Sequence, residues 1–317
     1  MLLPDLQDQT KGIVTAKILI FGTGAVGGYY GGMLVKAGFD VTFIARGENY
    51  EALKKNGLTL IGDKEKDILP INVFDSSESL GTFDYIIICT KSLHTKNACE
   101  SIKKNVGEHT TIASFQNGIE NEDIICEYFG VEKTIGALVF LASRLTEPGM
   151  VYQFGYNGGF VGELDKSRSQ RVQDLSDMFQ QSGVDIKVSE DILSAIWNKL
   201  LWNTSFNSLS VLTGKTVDKL VDEDKDMLIN IMNEVKDVAS AYDLKIRPDY
   251  IEFNLMRSKN LPGFKTSMLQ DFEAGREIEL DGLVGVVIRK AKEKNISVPN
   301  IEKIYNQIKE KIGQKLK

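Results

Sequence analysis

The stretch AKILIFGTGAVGGYYGGMLVKAGFDVTFIAR, residues 16–46, decides the fold of this chain. It begins with an apolar run, Lys17–Phe21, passes through a glycine pattern and a helical segment, and ends in a second apolar run, Asp40–Ala45. A strand, glycine loop, helix and strand in this order form a βαβ unit with two parallel strands. The segment therefore predicts an α/β fold that begins near residue 16.

The glycine pattern between the two runs has the spacing of a dinucleotide-binding loop. In such a loop the first glycine permits a tight turn, the second lets the backbone approach a pyrophosphate, and the third lets the helix pack closely on the strand. The helix N-terminus then faces the phosphate charge. The candidate cofactor residues are Gly22, Thr23, Gly24, Ala25, Val26 and Gly27. A structural glycine turn, a flavin site and an S-adenosylmethionine site share the pattern, which by itself leaves them open.

The residue after the second strand distinguishes between nicotinamide cofactors. Sites for NAD usually place Asp or Glu there to bind the ribose 2′-hydroxyl, whereas a 2′-phosphate favours a guanidinium. This chain has Arg46, which predicts NADP(H). The alternative is a surface arginine at a strand end, with Glu48 close by.

The remaining apolar runs extend the predicted sheet. Compact runs typical of strands buried on both faces occur at residues 85–89, 110–115 and 134–140, so we expect a sheet that is parallel for most of its width. Residues 149–163 alternate in polarity between glycines and predict an antiparallel, hairpin-like addition. A last run, 184–188, closes the predicted domain.

Beyond this run the pattern is almost wholly helical. Ser189, followed by two acidic residues, predicts the N-cap of a long helix that reaches about Leu212. The predicted fold class is thus α/β, with a Rossmann-type, doubly wound N-terminal domain followed by an all-helical C-terminal domain. The predicted limits are 1–15 for a flexible N-terminal extension, 16–188 for the NADP-binding domain and 189–317 for the helical substrate and catalytic domain.

Composition narrows the classes of function. The 317 residues carry a net charge of −6 without a basic block that also holds aromatic residues, which argues against nucleic acid as a partner. No apolar run is long enough for a membrane span or a signal peptide, so we expect a cytoplasmic protein. Three cysteines without CxxC-type spacing and only two histidines indicate neither a disulfide framework nor a metal site.

Two loops that follow strands carry further candidates. Lys91 follows the run at 85–89, and Asn117, within Gln116-Asn117-Gly118, follows the run at 110–115. Ligands of a doubly wound sheet bind outside the carboxyl ends of its strands. Lys91 is therefore a candidate to bind the cofactor phosphate or ribose, and Asn117 is a candidate to bind the nicotinamide or the substrate. Both residue types are also ordinary in loops.

The first helix of the second half carries a narrow polar stripe among apolar neighbours. At 100° per residue, Lys199, Asn203, Asn207 and Ser210 share one face. A solvated face or an interhelical hydrogen-bond ladder would explain the stripe, but buried polar groups need partners and a solvated face is usually wider. We interpret it as a substrate-facing wall. Partial burial would lower the pKa of Lys199 and suit it to donate a proton near neutral pH.

Together these motifs resemble the ketopantoate reductases (2-dehydropantoate 2-reductases), and the resemblance covers nearly the whole chain from residue 16. The matching motifs are the glycine loop, Arg46, Lys91, Gln116-Asn117-Gly118, Trp197-x-Lys199-x3-Asn203-x3-Asn207, Ser267-Met268-x2-Asp271 and Gly275-Arg276-x2-Glu279-x-Asp281. The resemblance implies NADPH-dependent reduction of a small 2-oxo acid, ketopantoate, in a cleft between the two domains, without a metal. It also favours a homodimer.

The resemblance also implies a role for each matching residue. Lys199 is the general acid, and Glu279 its acidic companion at cofactor and substrate. The implied substrate-binding residues are Asn117, Asn203, Asn207 and Ser267, and the implied cofactor-binding residues are the glycine loop, Arg46, Lys91, Asn117 and Glu279.

Some positions depart from the family pattern and keep alternatives open. Ile278 and Val284 stand where the family often has Thr and Asn, and a further substrate asparagine has no clear match near residues 215–218. A paralogue acting on another 2-oxo acid and a non-catalytic NADPH sensor are therefore alternatives. The β-hydroxyacid and glycerol-3-phosphate dehydrogenases share the domain plan, but their catalytic segments differ from residues 197–207.

Overall fold

The computed structural model describes residues 16–315, so the extension expected at residues 1–15 lies outside the described residues. Ten strands form one sheet. They are β1 (Lys17–Phe21), β2 (Asp40–Ile44), β3 (Leu58–Ile61), β4 (Lys66–Leu69), β5 (Asn72–Phe74), β6 (Phe83–Ile88), β7 (Val106–Ser114), β8 (Thr134–Glu147), β9 (Met150–Gly162) and β10 (Asp185–Val188).

The α-helices fall into two groups along the chain. Those that alternate with strands are α1 (Ala25–Lys36), α2 (Gly47–Asn56), α3 (Thr95–Ile102), α4 (Asn121–Phe129) and α5 (Gln170–Gln181). Those after the last strand are α6 (Ile192–Trp202), α7 (Ser208–Thr213), α8 (Val217–Glu223), α9 (Lys225–Ser240), α10 (Tyr250–Lys259), α11 (Ser267–Glu273), α12 (Val286–Glu293) and α13 (Pro299–Lys315). No helix among residues 16–315 is long and apolar enough to cross a membrane.

The sheet is parallel through its centre, as predicted. The order β8-β7-β6-β1-β2-β5 is parallel throughout, and β9 then pairs antiparallel with β8. The predicted antiparallel addition is thereby confirmed, although β8 and β9 form a longer hairpin than expected. Outside it, β3 and β10 run parallel to β9, and β4 runs antiparallel to β3.

Side chains on both faces of the central strands are buried, which makes the sheet doubly wound. Ile18 and Ile20 of β1 pack into one apolar cluster with α1 and α5, whereas Leu19 and Phe21 pack into another with α3 and α4. The apolar runs identified from the sequence are continuous because no face of these strands meets water. The predicted Rossmann-type fold is confirmed.

Helices α6 to α13 bury a third apolar cluster, which also includes Ile119 and Leu138 from the sheet half of the chain. The predicted long helix is present but begins later and is interrupted. Ser189 is not its N-cap: the Asp191 carboxylate instead accepts a hydrogen bond from the Ser194 N–H, 3.1 Å away. A π-helical turn over Asn203–Asn207 then separates α6 from α7. The helical second half that was predicted is likewise confirmed.

Candidate active site

The glycine loop has the geometry that its spacing predicts. Gly22 has a φ of +102°, which glycine adopts without strain, and a Cβ there would lie 2.8 Å from Thr90. A Cβ on Gly27 would lie 2.1 Å from the Gly22 carbonyl oxygen, so only glycine allows α1 to pack this closely. A Cβ on Gly24, by contrast, would meet nothing within 4 Å. The loop therefore leaves open space beside the N-terminus of α1, whose first N–H groups lack intrahelical acceptors.

Neighbouring residues hold this loop in place. The Thr23 hydroxyl donates to the Ile44 carbonyl oxygen at 2.9 Å, which ties the loop to β2. Asn49 of α2 donates to the Thr23 carbonyl oxygen at 2.5 Å and accepts from the Gly149 N–H at 2.8 Å. Asn49 was not identified from the sequence, because its role depends on the β8–β9 turn approaching from a distant part of the chain.

Arg46 and Lys91 differ in how far their charges are already paired. Arg46 is exposed at the start of α2 and makes no ion pair or side-chain hydrogen bond with any residue in the described range 16–315. Lys91, expected at the cofactor, instead donates to the Asp271 carboxylate at 2.7 Å and to the Glu277 carbonyl oxygen. Lys91 thus joins the sheet to the helical half.

Lys199 projects from α6 towards the carboxyl ends of the strands. Its ammonium donates to Asn117 Oδ1 at 3.0 Å and to the Val139 carbonyl oxygen at 2.6 Å. Burial lowers the pKa of Lys199 to about 8, an effect opposed by the negative charge of Glu279 and assisted by the positive charge of Arg257. A small cleft at this point is lined by Lys199, Asn117 and Asn203 among others.

Glu279 belongs to the same cluster although it comes from the far end of the sequence. Its Oε1 accepts hydrogen bonds from both the N–H and the hydroxyl of Ser92, each at 2.9 Å. Its Oε2 lies 3.4 Å from Asn117 Nδ2. The Asn117 amide therefore bridges the lysine and the glutamate, with its oxygen towards the cation and its nitrogen towards the anion. Ser92 has no motif of its own and was missed by the sequence reasoning.

A buried network orients the loop that carries Asn117. Gln116 Nε2 lies 3.0 Å from both the Thr90 carbonyl oxygen and the Thr95 hydroxyl, while Gln116 Oε1 accepts from Ser114. Asn121 donates to the Asn117 carbonyl oxygen at 2.9 Å. Such a network holds a side chain in one orientation. The sequence placed Gln116 in the right loop but gave no reason to assign it this positioning role.

The polar stripe is buried rather than solvated, and its members have different partners. Asn203 and Asn207 are 6% and 1% exposed, and their amides lie 3.4 Å apart. Asn207 also accepts from the Met268 N–H, and Ser210 pairs with the Thr266 hydroxyl at 2.6 Å. Asn207 and Ser210 thus form an interhelical hydrogen-bond ladder, which was the alternative interpretation. Lys199 and Asn203 line the cleft.

Ser267 differs from the polar residues of the stripe in that its side chain has no hydrogen-bond partner within residues 16–315. It begins α11 beside Met268, but its side chain is exposed and makes no hydrogen bond within residues 16–315. Nearby, two π-helical turns meet: the Thr204 hydroxyl of the first donates to the Leu283 carbonyl oxygen of the second, Asp281–Gly285. Turns of this kind are frequent at functional sites.

The fold and this cluster define a class: a two-domain protein with a dinucleotide-type loop and a lysine–amide–carboxylate cluster where the sheet meets the helical half. Comparison with known proteins identifies the family within that class. Residues 18–166 match the model of "Ketopantoate reductase PanE/ApbA", and residues 191–312 match that of its C-terminal part. The chain belongs to the ketopantoate reductase family, whose members are pyridine-nucleotide-dependent oxidoreductases.

Individual relatives cover almost the entire chain. A curated 2-dehydropantoate 2-reductase of Mesorhizobium japonicum is 32% identical over 86% of this chain and 90% of its own length. A solved 2-dehydropantoate 2-reductase from Geobacter metallireducens is 32% identical, with a TM-score of 0.89 over 93% of this chain and 99% of that one. A PanE/ApbA family ketopantoate reductase structure from Ralstonia eutropha is 27% identical, with a TM-score of 0.88 over 95% and 100%.

Proposed function

We propose that this chain reduces ketopantoate to pantoate with NADPH and that Lys199 donates the proton. The observation that carries the proposal is the cluster of Lys199, Asn117 and Glu279, whose members come from three distant parts of the sequence. Relatives that match almost the whole chain and are named 2-dehydropantoate 2-reductase support the reaction.

The cofactor assignment is supported by the fit of the loop residues. NADPH, when bound, supplies the hydride. The open space at Gly24 and the N-terminus of α1 suit a pyrophosphate, and the unpaired guanidinium of Arg46 suits a 2′-phosphate. Lys91 would bind the cofactor only after releasing Asp271, so we assign it a weaker cofactor role than Arg46.

Lys199 supplies both charge and proton to the reacting oxygen. The ketone oxygen of a 2-oxo acid becomes an alkoxide as the hydride arrives at carbon, and a nearby ammonium stabilises that charge. With a pKa of about 8, Lys199 is mostly protonated near pH 7 yet releases its proton more readily than an ordinary lysine. Glu279 keeps the pKa from falling further, and Asn117 fixes the direction of the ammonium.

The remaining polar residues are proposed to hold the substrate. Asn203 lines the cleft and offers its amide to the hydroxyl or carboxylate of a small 2-oxo acid. Asn207, whose amide already bonds to Asn203 and to the Met268 N–H, would act on the substrate through Asn203. Ser267 is exposed and free to turn towards a bound acid. The homodimer, the cytoplasmic location and the domain limits stay predictions from the sequence and its family resemblance.

Turnover by the purified protein tests the proposal directly. We expect rapid oxidation of NADPH with ketopantoate, and slower reaction with pyruvate, with branched 2-oxo acids and with NADH as the reductant. Preference for another 2-oxo acid would contradict the assignment of ketopantoate as the substrate. It would favour a paralogue that acts on that acid, an alternative that Ile278 and Val284 keep open because they depart from the family pattern. Tight NADPH binding without turnover on any acid would favour the sensor.

A further inference from the structure

Lys199 and Glu279 carry opposite charges in one cluster, yet they form no ion pair within the described residues 16–315. The Lys199 ammonium donates instead to neutral oxygens of Asn117 and Val139. The Glu279 carboxylate lies on the other side of the Asn117 amide. Opposite charges in a partly buried cleft attract each other strongly, because little water screens them. The separation of these two groups therefore needs contacts that oppose the attraction.

Ser92, in the loop between β6 and α3, supplies such contacts to the carboxylate. Glu279 Oε1 accepts from both the N–H and the hydroxyl of Ser92, each at 2.9 Å. Hydrogen bonds to an ionised acceptor are stronger than those between neutral groups, so two of them hold the carboxylate at this loop. A Cβ on Gly282 would overlap the Ser92 hydroxyl, so the π-helical turn Asp281–Gly285 also packs closely on this serine.

The segment that carries Glu279 depends on the same loop for its position. Residues 276–279 lie outside any helix or strand, so no regular secondary structure fixes the side chain. Lys91, the residue before Ser92, donates to the Glu277 carbonyl oxygen and to the Asp271 carboxylate. Two consecutive residues of the sheet half thus hold the backbone and the carboxylate of this segment.

A buried threonine fixes Ser92 relative to Asn117. The Thr95 hydroxyl lies 2.8 Å from both the Ser92 carbonyl oxygen and Asn121 Oδ1, and it accepts from Gln116 Nε2 at 3.0 Å. Asn121 in turn donates to the Asn117 carbonyl oxygen. A buried network whose members are satisfied holds its side chains in one arrangement. The anchor of the carboxylate and the amide between the two charges are therefore parts of one rigid frame.

We propose that Ser92 is a positioning residue that holds the Glu279 carboxylate off the Lys199 ammonium, so that Lys199 is free to donate its proton to substrate. The proposal rests on the proposed reduction and adds the residue that keeps its proton donor unpaired. A carboxylate in contact with the ammonium would compete with the ketone oxygen for its hydrogen bonds. It would also favour the charged form of Lys199, which then releases its proton less readily.

The charges around Lys199 give the sign of the effect. In the part of the chain that the structure describes, Glu279 and Arg257 are the charged groups that act on Lys199, and its ammonium contacts two neutral oxygens and the ring of Phe140. Moving the carboxylate from the far side of an amide to contact distance roughly doubles its attraction for the ammonium. Without the Ser92 hydroxyl, the pKa of Lys199 should therefore rise from about 8 by about one unit.

The test compares the pH dependence of ketopantoate reduction in Ser92→Ala, Glu279→Gln and the double variant with that of wild type. Ser92→Ala should lower kcat near pH 7 by about three- to tenfold and move its alkaline limb up by about one unit. In the Glu279→Gln background the same change should alter neither value, because no carboxylate remains to approach the lysine. Ser101→Ala is the control, since the exposed Ser101 hydroxyl donates to the Asn97 carbonyl oxygen of its own helix.

The upward direction of the shift is a readout that loss of structure alone would not give. A limb that stays in place in Ser92→Ala, or moves to lower pH, would overturn the proposal. An effect of Ser92→Ala that is equally large with and without Glu279 would also overturn it, because Ser92 would then not act through the carboxylate. A shift of the same size in Ser101→Ala would count against it in the same way.

Titration of Lys199 itself separates this proposal from the proposed reaction. In protein labelled with ¹³C at the ε-carbon of lysine, NMR follows each ammonium without any turnover, and the signal of Lys199 is the one missing from Lys199→Met. A pKa of Lys199 that rises in Ser92→Ala, but not when Glu279→Gln is also present, would support the role of Ser92 even if wild type failed to reduce ketopantoate. An equal or lower pKa in Ser92→Ala would refute it.

Discussion

Replacing Glu279 by Gln should move the pH dependence of reduction, because the carboxylate holds up the pKa of Lys199. The Asn117 amide separates the two charges through contacts of 3.0 and 3.4 Å. Including the width of the amide, unit charges roughly 8 Å apart interact by about 2 kcal/mol at an effective dielectric constant of about 20. That energy corresponds to about 1.5 pKa units, of which water in the cleft screens part, so we expect a shift of about one unit.

The direction of the shift follows from the charge that is lost. Without Glu279 the ammonium form is less favoured, so the pKa of Lys199 falls below about 8. Reduction requires the protonated lysine, and its rate falls as pH rises through that pKa. The alkaline limb of kcat should therefore move from near pH 8 to near pH 7, while the limb for pantoate oxidation, which requires the neutral amine, moves with it.

Steady-state kinetics between pH 5.5 and 10 with saturating NADPH measures the shift, with these limits chosen to span about two units on either side of the expected pKa. Glu277→Gln is the matched control, since Glu277 is 67% exposed and, within residues 16–315, its carboxylate contacts only His94. It should leave the profile unchanged. An alkaline limb that stays in place in Glu279→Gln, or that moves equally in Glu277→Gln, would refute the electrostatic reasoning.

The glycine loop and Arg46 give further predictions. Gly27→Ala should destabilise the protein by about 3 kcal/mol in urea unfolding, since its Cβ would lie 2.1 Å from the Gly22 carbonyl oxygen. Gly24→Ala meets open space, so it should keep its stability but weaken NADPH binding measured by fluorescence; equal stability losses would contradict the assignment. Arg46→Gln should raise KM for NADPH by about tenfold and leave that for NADH unchanged, because only the 2′-phosphate needs the guanidinium. Parallel changes for both cofactors would count against NADP preference.

The parts of the fold with a strong apolar pattern were predictable from the sequence. Central strands such as β1 and β6 are continuous apolar runs because both of their faces are buried. The short strands β3, β4 and β5 were missed: β4 and β5 bury little of their surface, and charged residues occupy half of β4. Their pairing depends on distant neighbours rather than on their own composition.

The candidate site was predictable where a local sequence pattern marks its residues. Lys199 stands out as a lysine among apolar neighbours on one helix, and the glycine loop stands out by its spacing after a strand. By contrast, Ser92, Gln116 and Asn121 act through hydrogen bonds that exist only after the loops come together.

Pantoate formation by Lys199→Met tests the central claim most directly, since methionine is also unbranched and occupies the space of the lysine stem without its charge or proton. NADPH affinity should stay within about twofold, because Lys199 bonds to Asn117 and Val139 rather than to the glycine loop. We expect kcat for ketopantoate reduction to fall by about 10²- to 10⁴-fold and its limb near pH 8 to disappear. Wild-type turnover with the alkaline limb still present would contradict the assignment of Lys199 as the proton donor.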